Sequence, residues 1–167
     1  MAVDAAAESA LWADCLRPEP ERDRGPVFSP LGEARYALGL ETIYEGYLVH
    51  YGRPRLFAPP DDDTALLLGD YLYAHGVARI SALHDVAAVA DLSELISLCS
   101  QLRAEDADGD APLWAATAAL LGREALDEPR TALRLHSDPQ PLDRLARETA
   151  GDEAVDTALA AHAARRP

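Results

Sequence analysis

The sequence predicts an all-α fold, a bundle of about six helices. Apolar residues recur at helical spacing along most of the 167-residue chain. Pro and Gly fall mainly between those stretches. No run of alternating apolar and polar residues is long enough for a strand. Aromatic residues make up only 6% of the chain, so Leu and Ala must supply most of the core.

Residues 1–29 read as an N-terminal helix followed by a Pro-rich linker, and residues 30–167 as one helical domain. The Ala-rich residues 3–16 carry Leu11, Trp12, Cys15 and Leu16 on a helix expected to pack loosely or to dock on a partner. Pro18, Pro20, Gly25 and Pro26 forbid a regular element after it. Ser29 and Pro30 form a helix start signal. From there Tyr36, Leu40, Ile43 and Tyr47 make one apolar face of a long helix that Gly52 and Pro54 end. Asp61, Asp62 and Asp63 suit the positive end of the next helix.

That next helix, through Leu66–Ile80, has apolar residues nearly all round and is expected at the centre of the bundle. Gly69 and Gly76 within it mark a close helix crossing. Asp85 caps a further helix that buries Val89, Leu92, Ile96, Cys99 and Leu102, with Asp91, Glu94 and Gln101 facing water. An acidic turn over residues 105–110 precedes an apolar helix from Pro112. Asp138 and Pro139 open another that Gly151 stops, and Asp152 caps the last.

The formal charge of -14 repels phosphate backbones and anionic lipid, which argues against nucleic acid as a partner and against electrostatic attachment to membranes. No stretch of about 18 apolar residues predicts a membrane span. The first residues do not read as a signal peptide. Two distant cysteines, Cys15 and Cys99, fit a reduced, cytoplasmic setting better than a disulfide framework.

Several clusters resolve into ordinary roles. Helix capping explains the three aspartates at 61–63. The Asp106–Asp110 order lacks the closing glutamate of a calcium loop. His50, His75 and His84 have no zinc-pair spacing, and Ser81 and Ser93 sit in no nucleophile elbow. No catalytic residue, metal ligand or cofactor is therefore assigned.

Asp70 stands out because it shares a helical face with Leu66, Tyr73, Val77 and Ile80, where a carboxylate needs a partner or a role. With Glu45, His50 and Tyr73 it forms the candidate substrate-facing set. Tyr36, Leu40, Ile43, Tyr47 and Tyr51 form the candidate interface, since tyrosine combines large contact area with a polar tip.

Leu68-Gly69-Asp70-Tyr71-Leu72 resembles the helix after the first aspartate-rich motif of the trans-polyprenyl diphosphate synthases. The order is similar too: a helix through Ile43–His50, then Gly52-Arg53-Pro54-Arg55, then the Gly-Asp-Tyr helix, the likeness spanning residues 40–121. The departures fall on the chemistry. With Glu45 at the first aspartate, Gly46 and Val49 replace the others, the Gly-Lys-x-x-Arg-Pro motif is missing, and the second aspartate-rich motif has no counterpart.

The chain is most similar to the small, non-catalytic subunit of two-component, heptaprenyl-type synthases. That resemblance implies a partial terpenoid-synthase-like fold and docking on a catalytic synthase, or failing that homodimerisation. It also implies an influence on product chain length, with Mg²⁺ supplied only through the partner. The alternatives are a helical interaction module without isoprenoid function, and a small stand-alone ligand-binding protein or enzyme with an apolar helical pocket.

Overall fold

Ten of the fifteen residues from Ala37 to Tyr51 are buried, and the rest of the chain is built around that helix. The computed structural model describes residues 10–166. It is all-α, as the sequence predicts. Its eight helices there are α1 Ala10–Asp14, α2 Ala37–Tyr51, α3 Asp62–Ser81, α4 Val86–Ala104, α5 Asp110–Leu120, α6 Asp127–His136, α7 Gln140–Ala150 and α8 Asp152–Ala163. The count exceeds six because α1 is a short piece and α6 was not anticipated. Residues 3–9 of the expected first helix lie outside the described residues.

Local signals place most boundaries. Asp61 caps α3, its carboxylate accepting the Thr64 amide at 2.8 Å. Asp85 caps α4 in the same way through the Ala88 amide at 3.0 Å. Gly52 ends α2, and Gly151, with φ of 87°, separates α7 from α8. The start of α2 differs from expectation. Residues Ser29–Leu31 and Ala34–Tyr36 make two 3₁₀ turns, and the α-helix begins only at Ala37. Glu41 explains the delay: one carboxylate oxygen accepts the amides of Val27, Phe28 and Ser29 at 2.9–3.0 Å and holds them in a turn.

The Pro-rich segment is not a free linker. The Arg17 amide donates to the Leu56 carbonyl at 2.9 Å, and Val27 and Phe28 are buried in the core. Phe28 stacks on Trp114 of α5 at a ring separation of 5.6 Å. Helix α5 is the second buried element, with every residue from Leu113 to Leu120 inside. Helices α4, α7 and α8 pack around it.

Helix α3 runs antiparallel to α2 at a close crossing, with Gly39 and Gly46 of α2 facing Gly76 and Gly69 of α3. A Cβ on Gly76 would fall 2.4 Å from Ile43 Cγ1 and 2.9 Å from the Gly39 carbonyl oxygen, and one on Gly69 2.4 Å from His50 Nε2. The crossing anticipated at Gly69 and Gly76 is therefore real. Gly76→Val is expected to prise the helices apart at a cost of about 2–3 kcal/mol. An unchanged midpoint in chemical denaturation would refute that.

The central position assigned to α3 needs correction. Only Leu68, Gly69, Leu72, Gly76 and Ile80 are buried, while Leu66 and Leu67 are 55% and 58% exposed. Tyr71 and Val77 are half-buried. An apolar circumference allows enclosure but does not supply neighbours. Here α2 and α4 pack on it and Trp12 of α1 lies against Tyr71 at a ring separation of 5.3 Å, but the face carrying Leu66 and Leu67 stays open. Asp91 is a second correction, since it is buried rather than facing water.

Candidate functional site

The structure divides the four substrate-facing candidates. Glu45 is fully buried on α2. One of its carboxylate oxygens accepts the Leu56 amide at 2.7 Å and the other accepts Arg55 Nε at 3.0 Å. Arg55, also buried, donates its remaining nitrogens to the carbonyls of Gly25 at 2.7 Å and Glu41 at 3.3 Å. Its Nη1 also stands 2.8 Å from the second oxygen of Glu41. This cluster ties α2 to the segments on either side of it. Glu45 is a structural carboxylate, not a substrate-facing one.

His50, Asp70 and Tyr73 do come together, at the crossing of α2 and α3. His50 Nε2 lies 3.2 Å from an Asp70 carboxylate oxygen without the alignment of a hydrogen bond, and its ring centre is 5.1 Å from that of Tyr73. Asp70 is on the outer side of α3 with its side chain 68% exposed, so the expectation of a carboxylate on an apolar buried face is overturned. Burial lowers the His50 pKa, and the neighbouring Asp70 charge only partly opposes that. Burial raises the Tyr73 phenol pKa well above its ordinary value, and its hydroxyl is enclosed without a hydrogen-bond partner among the described residues.

The interface candidates are mostly internal. Tyr36, Leu40, Ile43 and Tyr47 are buried in the chain's own core, and Tyr51 is half-buried with its hydroxyl donating to Ser100 Oγ at 3.3 Å. Aromatic side chains on α2 cover the α2–α5 contact: Tyr44 and Tyr47 pack on Trp114 at 5.1 and 5.5 Å. These four side chains present no surface to a partner.

The most elaborate polar constellation was not anticipated. Asp110, at the start of α5 and read as part of an acidic turn, is 1% exposed. One of its carboxylate oxygens accepts hydrogen bonds from the Tyr47 hydroxyl and Arg103 Nη2, and it pairs with His162 Nε2 at 3.1 Å. His162 reaches the Tyr44 hydroxyl through Nδ1 at 3.0 Å, and Arg103 Nη2 donates to Tyr47 at 2.6 Å. Burial alone would raise the Asp110 pKa. The hydrogen bonds from His162 and Tyr47, with the charges of His162 and Arg103, outweigh it and hold the carboxyl well below the usual range. Burial, with Asp110 beside it, raises the Tyr47 phenol pKa.

A second buried pair joins α4 to α6. Arg130 Nη1 donates to Asp91 at 2.7 Å, and the other Asp91 oxygen accepts the Gly122 amide at 2.9 Å. Both constellations join helices, and in each the carboxylate is buried and hydrogen-bonded, as structural groups are.

A cavity of about 340 Å³ opens between the Asp23–Ser29 segment and the first turn of α2, walled by Pro26, Ala37, Leu38 and Leu56. A second groove of about 540 Å³ lies along α8 beside Pro26 and Pro30. Glu45, His50, Asp70 and Tyr73 line neither of these two cavities. Among the described residues no three His, Cys, Asp or Glu side chains are grouped to hold a metal ion, and no helix is long and apolar enough to cross a membrane.

Comparison of the chain with protein-family models, with curated proteins and with solved structures finds no match. The polyprenyl-synthase likeness accordingly rests on the quoted residues alone.

Proposed function

We propose that the chain is a non-catalytic, polyprenyl-synthase-like subunit that acts by docking on a partner, a catalytic prenyl diphosphate synthase being the partner its motif order implies. The observation that carries this reading is the state of Glu45. At the position that would correspond to the first diphosphate-binding aspartate, both carboxylate oxygens are consumed by Arg55 and the Leu56 amide in a fully buried site. Diphosphate ionisation needs clustered carboxylates and metal to stabilise the departing charge. Gly46 and Val49 provide none.

The antiparallel pairing of α2 with the Gly-Asp-Tyr helix, joined through Gly52–Arg55, supports the same reading. Influence on product length would follow from contact with the synthase.

The test is co-purification of the tagged full-length chain from its native organism, with the stoichiometric partner identified by mass spectrometry. The isolated chain with Mg²⁺ and allylic and homoallylic diphosphates is expected to yield no condensation product. Adding it to the partner is expected to shift the distribution of product lengths. Turnover by the pure chain, or its recovery alone, overturns the proposal.

A further inference from the structure

The outward stripe of α3 combines exposed leucines with unneutralised carboxylates. Asp63, the adjacent Leu66 and Leu67, Asp70, Ala74 and Ala78 fall on one side of the helix at three- or four-residue steps, and all six are exposed. The two leucines, more than half exposed, lie between carboxylates on either side. Several surface carboxylates elsewhere have an arginine at hand, as Glu19 has Arg24, Asp85 has Arg35, Glu94 has Arg134 and Asp143 has Arg147.

Among the described residues no arginine pairs with Asp63 or Asp70. The group facing Asp70 is the half-buried His50, whose burial disfavours the imidazolium that would compensate it. The small Ala74 and Ala78 leave room for a close helical approach along the rest of the stripe.

This pattern selects among occupants. A second copy would bring the same aspartates face to face between two chains of formal charge -14. A basic partner is attracted by the same charges. We propose that the stripe is a docking surface for a basic amphipathic helix of a different protein. Leu66 and Leu67 take its apolar side chains, and Asp63 and Asp70 take flanking arginines or lysines. This rests on the docking reading above and specifies the partner's chemistry. The mode is an apolar helix face seated on an apolar strip, with charge fixing register and excluding wrong partners.

The probe is a pair of labelled helical peptides of about 20 residues sharing one leucine face, flanked by arginines in one and glutamates in the other. Binding to the full chain is read by fluorescence anisotropy at low and high salt. The arginine peptide is expected to bind at least about tenfold more tightly than the glutamate peptide, and more weakly at high salt. Leu66→Glu with Leu67→Glu is expected to abolish binding. Asp63→Arg with Asp70→Arg is expected to invert the preference between the peptides. Circular dichroism checks that both variants keep the wild-type helix content.

Equal or absent binding of the two peptides, or a preference untouched by charge reversal, overturns the assignment. So does a wild-type dimer that the leucine substitutions dissociate. In the co-purification experiment, a partner retained undiminished by the Leu66→Glu, Leu67→Glu chain sinks this surface and leaves the docking reading standing. No partner with either chain removes both.

Discussion

Replacing Asp110 with alanine is expected to lower the unfolding free energy by about 3–5 kcal/mol, the loss typical of removing one member of a buried charged cluster. The carboxylate is the common acceptor for Tyr47, Arg103 and His162, which come from α2, α4 and α8. Without it three polar groups face each other in the core with no anion between them. The consequence is loosening of α8 as well as global destabilisation. Hydrogen exchange should therefore quicken in residues 152–163 more than in α3.

The same carboxylate sets an acid limb. Its folded pKa is depressed, so its contribution is present above the unfolded-state value of about 3.9 and is lost as pH falls from there toward the folded value. Asp110→Asn should flatten the decline in stability below about pH 5, starting from a lower plateau at neutral pH. Parallel acid limbs in the wild type and the asparagine variant, measured by urea denaturation across pH, would show that other carboxylates carry it.

A loss of about 3–5 kcal/mol is likewise expected for Arg55→Met, because Glu45 is then left as a fully buried carboxylate without its cation. The carbonyls of Gly25 and Glu41 lose their donor at the same time. Glu45→Gln in that background should recover much of the loss. The amide removes the buried charge and its oxygen can still accept from the Leu56 amide. The two substitutions should therefore be strongly non-additive, as expected for groups in direct contact. Additive effects in a double-mutant cycle would mean that the charge pair is not what holds the Gly52–Leu56 turn against α2.

The four candidate residues had very different fates for identifiable reasons. The helical pattern correctly places Glu45 and His50 on one helix and Asp70 and Tyr73 on the next, and the glycines correctly bring those helices together. It cannot say which side of α3 lacks a covering helix. Asp70 thus lies outside although its neighbours three, seven and ten positions on are apolar. The tyrosines of α2 were legible as large contact residues, but whether such a surface meets a partner or the chain's own α5 depends on where α5 packs. Trp114 and Phe28 fill that place.

What the sequence determined by itself is local. The all-α class, the caps at Asp61 and Asp85, the stops at Gly52 and Gly151 and the tight crossing at Gly69 and Gly76 each follow from backbone preferences or side-chain size within a turn or two. Only the tertiary structure decided which carboxylates are buried. Asp110 finds Tyr47 at a separation of 63 residues and His162 at 52, and Asp91 finds Arg130 at 39. A buried charge is tolerable only where such distant donors converge on it. No periodicity in the neighbourhood of an aspartate records whether they will.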